Sequence, residues 1–267
     1  PDIYIASLSA KTLGLAAKLT GHRQQRYVSM MQLLPDGSFR SIRYTSQKIS
    51  HGVDRTKVYI FDYEKREVTY QYFKNNKHIA KDDEVIKIEG EDYPGDILTT
   101  YFNLVAGAYG PLKVGAHYEI SAFDKDGLGI IQIDFLSPAQ RPKENFFGAD
   151  LLMCKVVVDQ DVFDTKNGVI YIGYDKKRRP ARGVVTDIIG MGDVRGVMKS
   201  SFQDFFVQLI RVRNRFHAAP VSTEPGCCPI FNHFFACGDR GRLFKFDISF
   251  FFQKHLDPGL VVVANGF

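Results

Sequence analysis

Four groups of residues have types that could do chemistry. They are the run Gly190-Met-Gly192-Asp-Val-Arg-Gly196, the group Cys227-Cys228, His233 and Cys237, the cationic run Lys176-Lys-Arg-Arg179 with Arg182 nearby, and scattered histidines and carboxylates. A glycine run binds a dinucleotide phosphate when a strand enters the turn and a helix leaves it, so that the helix N-terminus meets the anion. Here the third glycine comes one residue late. Val184, Val185, Ile188 and Ile189 lead in, and Val194 and Val197 continue as extended chain, so a strand bend or bulge is expected. A zinc site needs four ligands in tetrahedral reach, but two of these cysteines are adjacent and no C-x-x-C is present. No metal and no cofactor are therefore expected.

Hydrolytic chemistry needs a nucleophile, a base and an oxyanion donor in one cleft. The chain has no G-x-S-x-G, no H-E-x-x-H and no P-loop. His51, His78 and His117 stand alone at turns or strand starts, and Asp82-Asp83 and Glu89/Glu91 lie in polar turns. No catalytic residue is assigned. The cationic run could attract phosphate or lipid headgroups, or it is a solvated hairpin tip whose charges discourage edge pairing.

The elements that must position such groups read as β-structure. In 267 residues, 45% are hydrophobic and 24% charged, the balance of a globular chain with a sizeable core. The formal charge of +5 comes from interleaved signs rather than blocks, and no nucleic-acid partner is expected. Strands are expected over 3–10, 24–34, 38–48, 56–63, 67–73 and 85–88, and again over 117–123, 129–135, 151–158 and about 169–195. Pro35-Asp36-Gly37, Asn75-Asn76 and Lys125-Asp126-Gly127 mark turns between them. A β excursion through Val162 and Phe163 is expected over 159–167. Tyr59, Phe61, Tyr63, Tyr70 and Tyr72 either line a cavity or pack a core.

One helix is expected near 95–106. Ile97, Leu98, Tyr101, Leu104 and Val105 share a helical face, Pro94 suits its first turn, Asp92 is a candidate cap, and Gly107 and Gly110-Pro111 end it. Many short alternating strands with one helix argue for a mainly β fold, a curved antiparallel sheet forming a half-barrel or barrel. A single sheet of at least seven strands would curve around that helix.

After about Ser200 the composition shifts. Thirteen of the 22 Phe lie there, none of the 13 Tyr, and three of the four Cys. Ser201–Val212 could form an amphipathic helix, and no period is apparent beyond Pro220. Two domains follow: residues 1–199 as the β domain, and 200–267 as an irregular, poorly packed extension.

The block around Asp175, Arg179, Pro180 and Gly192 resembles the C-terminal signature of the bacterial domain-of-unknown-function family 3108. There a strand runs into an aspartate, a basic pair and a proline, and the next strand ends at a glycine-containing step. The lead Asp92-Tyr-Pro94-Gly-Asp96 resembles that family's entry to its mid-domain helix, and Cys154 stands where members often have a cysteine. The resemblance covers about residues 3–199 and implies a missing opening hairpin, since Ile3–Leu8 is already in strand register. The chain begins at Pro1, so a leader was removed or the chain is a fragment. The resemblance further implies an exported protein of a Gram-negative envelope, periplasmic or at the outer membrane, often a lipoprotein, with a sheet like those of lipoprotein carriers.

The expected function is a non-enzymatic envelope protein that holds an apolar or amphipathic ligand, such as a lipid or a lipidated partner, in a concave sheet. An enzyme with a scattered active site and a purely structural envelope protein are the alternatives. Asp175, Arg179 and Pro180 are read as fixing a hairpin, Cys154 as core, and Gly192 as a strand bend.

Overall fold

The computed structural model describes residues 2–13, 17–18, 20–90, 93–124, 127–143, 146–189 and 192–197, with 235–237 and 243–255. The N-terminal part is an antiparallel meander of β1 (Ile3–Leu13), β2 (Gln24–Leu33), β3 (Phe39–Ser50), β4 (Val53–Asp62) and β5 (Glu67–Lys74). Short strands β6 (Lys77–His78) and β7 (Glu84–Lys87) both pair with β5. After α1 (Ile97–Ala106), introduced by the two-residue β8 (Gly95–Asp96), come β9 (His117–Asp124), β10 (Gly127–Phe135), β11 (Leu152–Val157), β12 (Val169–Tyr174), β13 (Pro180–Ile188) and β14 (Gly192–Val197).

The fold is mainly β, as the alternation requires, but the strands divide between two open sheets instead of one. The first runs β6-β5-β4-β3-β2-β1 and onward, the second β14-β13-β12-β11-β10-β9-β8, and among the described strands only the β8–β9 pair is parallel. The reason lies in α1. It packs against β2 and β3 of one sheet and β8 and β9 of the other. Leu98, Phe102 and Leu104 are buried, but so are Thr99, Thr100 and Asn103. A helix enclosed on two sides buries more than the single stripe that a surface helix shows. Leu98 and Phe102 join a core with Tyr59, Phe61 and Val68 of the first sheet, and Leu104 joins one with Ile133, Phe135 and Val156 of the second.

Both ends of α1 are tied to the first sheet. Asp96 caps the N-terminus by accepting from the Leu98 and Thr99 amides at 2.9 and 3.0 Å. Asp92 lies outside the described residues, and Pro94 sits ahead of the cap rather than in the first turn. Near the C-terminus, Asn103 mimics a strand neighbour of Phe39, accepting from its amide at 2.6 Å and donating to its carbonyl at 2.8 Å. Gly107, at φ 79°, closes the helix in the left-handed region.

Two other expectations are corrected. The excursion over 159–167 contains a short helix, α2 (Gln160–Phe163), because Asp159 caps it through the Asp161 amide at 2.7 Å. Within 200–267, β15 (Phe235–Cys237) and β16 (Leu243–His255) are strands, and β16 pairs antiparallel with β1 from Ile3↔His255 to Leu13↔Lys245. The period there is real: Phe244, Phe246, Ile248, Phe250 and Phe252 alternate with Lys245, Asp247, Ser249, Phe251 and Gln253. β1 is thus paired on both edges, by β2 and β16, where a missing neighbour was expected. The expected helix over 201–212 lies outside the described residues.

Candidate functional site

The second sheet places apolar side chains in a transverse row. Ile133 faces Val156, Val156 faces Ile170, Ile170 faces Val185, and Val185 faces Val194, one residue from each strand of β10 to β14. Because strand side chains alternate, all five point to one face. The next row holds Phe135, Cys154 and Ile172, and then Gly183 and Gly196. Two glycines stand where the neighbouring row has valines, and at Gly183 the missing side chain leaves open space.

The result is a cavity of about 360 Å³ between the sheets. Leu8, Ala10 and Tyr27 form the first-sheet wall, and Leu98, Tyr101 and Leu104 of α1 form another. The lining is almost wholly aliphatic and aromatic. Burial pushes the Tyr27, Tyr101 and Tyr174 hydroxyls well above the ordinary phenol range, so all three stay neutral.

One end of the cavity is polar. There the 159–168 segment crosses from the second sheet to the first. It is anchored behind by Ile189 N to Asp164 O at 2.9 Å, Lys166 N to Asp187 O at 3.1 Å and Val158 N to Gly168 O at 3.0 Å. In front, Val162 and Phe163 line the cavity, and the Tyr27 hydroxyl donates to the Val162 carbonyl at 2.8 Å. Asp164, held in the left-handed region at φ 53°, turns its carboxylate to Arg23 and Lys48, which both form ion pairs with it. Gln25 adds a longer contact at 3.4 Å. Nothing in the local pattern marks Arg23, Lys48 and Asp164, which are far apart in sequence.

A second polar cluster lies inside the fold, where Asp96 is fully buried. Its Oδ2 accepts hydroxyls from Ser29 at 2.6 Å, Ser41 at 2.7 Å and Thr99 at 2.8 Å. Burial pushes this carboxyl above its ordinary value, against the pull of the donated bonds. The cluster has no nucleophile–base geometry. It joins β2, β3 and α1.

The residues singled out by sequence sit apart from the cavity or at its border. Asp175 accepts from the Lys177 amide at 2.8 Å, the Arg179 amide at 3.0 Å and the Arg179 Nε at 2.8 Å, closing the turn between β12 and β13. Pro180 opens β13 opposite Tyr174 and touches the cavity wall. Cys154 is fully buried in the second core, and burial raises its thiol pKa far above the ordinary range. Gly192 has φ 73° and begins β14 beside a register shift, while Gly190 and Met191 lie outside the described residues. Pro94 is buried, and its carbonyl accepts from the Tyr63 hydroxyl at 2.9 Å.

The aromatic cluster packs a core and does not line the cavity. Tyr59 and Phe61 are buried in the first core, with Tyr63 and Tyr70 against them. His51 meets Ser50, His78 meets Asp83, and His117 meets Asp134 at 2.7 Å, all at exposed positions. Among the described residues, no three His, Cys, Asp or Glu come together as a metal site, and no helix is long and apolar enough to cross a membrane. Cys227, Cys228 and His233 lie outside the described residues, and only the backbone of Cys237 is described.

Residues 2–205 match the family described as protein of unknown function, DUF3108. No curated protein matches the chain. A similar solved structure is a β-barrel-like protein of domain of unknown function DUF1849 from Brucella abortus. It is 9% identical with a TM-score of 0.35, over 95% of this chain and 98% of that one.

Proposed function

The chain belongs to a family of proteins of unknown function, DUF3108, and we propose that this member is a non-enzymatic envelope protein that holds a lipid or other amphipathic ligand between its two sheets. The observation that carries the proposal is the cavity. Its volume of about 360 Å³ falls within the range of about 300–1,000 Å³ usual for small-molecule sites. Its walls are aliphatic and aromatic, and one end is charged, which matches a molecule with an apolar body and a polar head. The envelope is the compartment that the family resemblance implies. Binding without chemistry is supported by the placement of His51, His78 and His117 away from the lining.

The test is displacement of a fluorescent fatty acid from the delipidated full chain, run beside an esterase, phosphatase and glycosidase screen. Saturable displacement by single-chain amphiphiles without turnover is expected. Absence of any amphiphile binding, or turnover lost on changing one His or Asp, would replace this reading.

A further inference from the structure

We infer that the cavity takes a single-chain amphiphile with an anionic headgroup, seated with its charge at Arg23 and Lys48 and its tail running toward the Ile133–Val156–Ile170 row. This rests on the binding reading above and adds the ligand's charge and direction.

At the polar end two cations, Arg23 and Lys48, share the single carboxylate of Asp164. These three groups together carry one positive charge. Arg23 is only 14% exposed, yet it lines the cavity. It gives one terminal nitrogen to Asp164, and among the described residues its Nε and other terminal nitrogen have no side-chain acceptor. A guanidinium presents donors in a fixed fork suited to a carboxylate or phosphate. Lys48 is 37% exposed, stands outside the lining, and brings a second positive charge to the Asp164 carboxylate that Arg23 also meets. With apolar walls beside it, Arg23 can meet an incoming anion with its remaining donors.

Two other cations line the cavity: Lys11, which stands opposite Gln24 on the Arg23 side, and Arg182, which is already engaged by the Phe146 carbonyl and ring. From Arg23 the walls pass through Tyr27 and Phe163 to Ile170, Ile133 and Val156. A headgroup placed against the Ile133–Val156–Ile170 row would face aliphatic carbon. The direction of the ligand follows from that asymmetry. Asp164 acts as the internal stand-in for the headgroup, holding both cations in place when the cavity is empty.

The experiment compares palmitate, hexadecyl phosphate and hexadecanol on the delipidated full chain by calorimetric titration, in wild type, Lys48→Gln and Arg23→Gln. In wild type both anions should bind about tenfold or more tighter than the alcohol, the value of one charge-assisted bond. Lys48→Gln, at a half-exposed position that should not disturb folding, should weaken the anions several-fold and leave hexadecanol unchanged. Arg23→Gln should remove most of the preference. A preference for only one anion identifies carboxylate or phosphate as the headgroup, and either result supports the inference. Equal binding of acid and alcohol in wild type would overturn it while leaving the cavity reading intact. So would loss of all three ligands together in Lys48→Gln. Binding of none of the three would overturn the cavity reading itself.

Discussion

Ser41 and Asp96 bond each other twice: the serine hydroxyl donates to the buried carboxylate at 2.7 Å, and the Asp96 amide donates back to that hydroxyl at 2.9 Å. Through this exchange the first sheet holds the N-terminus of the helix that forms one wall of the cavity. Asp96→Ala removes the cap and leaves the Ser29, Ser41 and Thr99 hydroxyls without their acceptor. A loss of about 3 kcal/mol or more is expected, summing a cap with buried orphaned donors. Ser29→Ala should cost about 1 kcal/mol. Urea unfolding checks both, and an Asp96→Ala protein within 1 kcal/mol of wild type, on the order of one hydrogen bond, would show that the cluster holds little.

The turn at Asp175 has a signature in acid. Partial burial works to raise this carboxyl's pKa, but bonds from the Arg179 side chain and from the Arg179 and Lys177 amides bring it below the ordinary value. A carboxyl with a depressed folded pKa stabilises above its unfolded value of about 3.9, and that contribution is lost as pH falls through the folded value. The unfolding free energy of wild type minus that of Asp175→Asn should be greatest near neutrality, about 1–2 kcal/mol, and shrink below about pH 4. A difference that grows toward acid would contradict the assignment.

Gly183 tests the cavity from its wall. A Cβ there would meet nothing nearer than the Tyr171 carbonyl oxygen at 3.6 Å, so a side chain can extend into the open space. Gly183→Leu should abolish displacement of the fluorescent fatty acid and leave the melting temperature equal or higher. Unchanged binding in a folded Gly183→Leu protein would place the ligand elsewhere.

Two glycines with the same backbone sign should respond differently to alanine. Gly192, at φ +73°, has no atom within 4 Å of an added Cβ. Gly192→Ala should therefore cost only the left-handed penalty, about 1–2 kcal/mol. At Gly168, φ +67°, the added carbon would overlap the Val158 carbonyl oxygen, so the 159–168 segment, the strap that spans the polar end of the cavity, must itself move. Gly168→Ala should cost about 3 kcal/mol or more. Thermal unfolding of the pair reads the contrast, and equal shifts would mean that the strap yields.

The chain's own pattern determined the strands and the principal helix because both depend on local periods. The alternation of Val169, Tyr171 and Gly173 against Ile170, Ile172 and Tyr174 is strand geometry wherever the segment lies. Asp175 with Arg179 is likewise legible, since a turn four residues long closes on itself. β16 also carries a period, in the alternating Phe244–Phe252, but the crowding of phenylalanines hid it. Local pattern has no access to partners distant in sequence. That α1 would lie between two sheets, burying Thr99 and Asn103 as well as Leu98, depends on what packs on both of its sides. Asp96 was visible only as part of a lead into a helix, and its role required Ser29 and Ser41 to arrive from other strands. The cavity is likewise a tertiary product: its lining joins Gly183, Val185 and Val194 of the second sheet to β1, β2 and α1, and register across strands is decided by pairing. Arg23, Lys48 and Asp164 meet only when the strap crosses from one sheet to the other, so the charged end of the site was set by the fold and not by any motif.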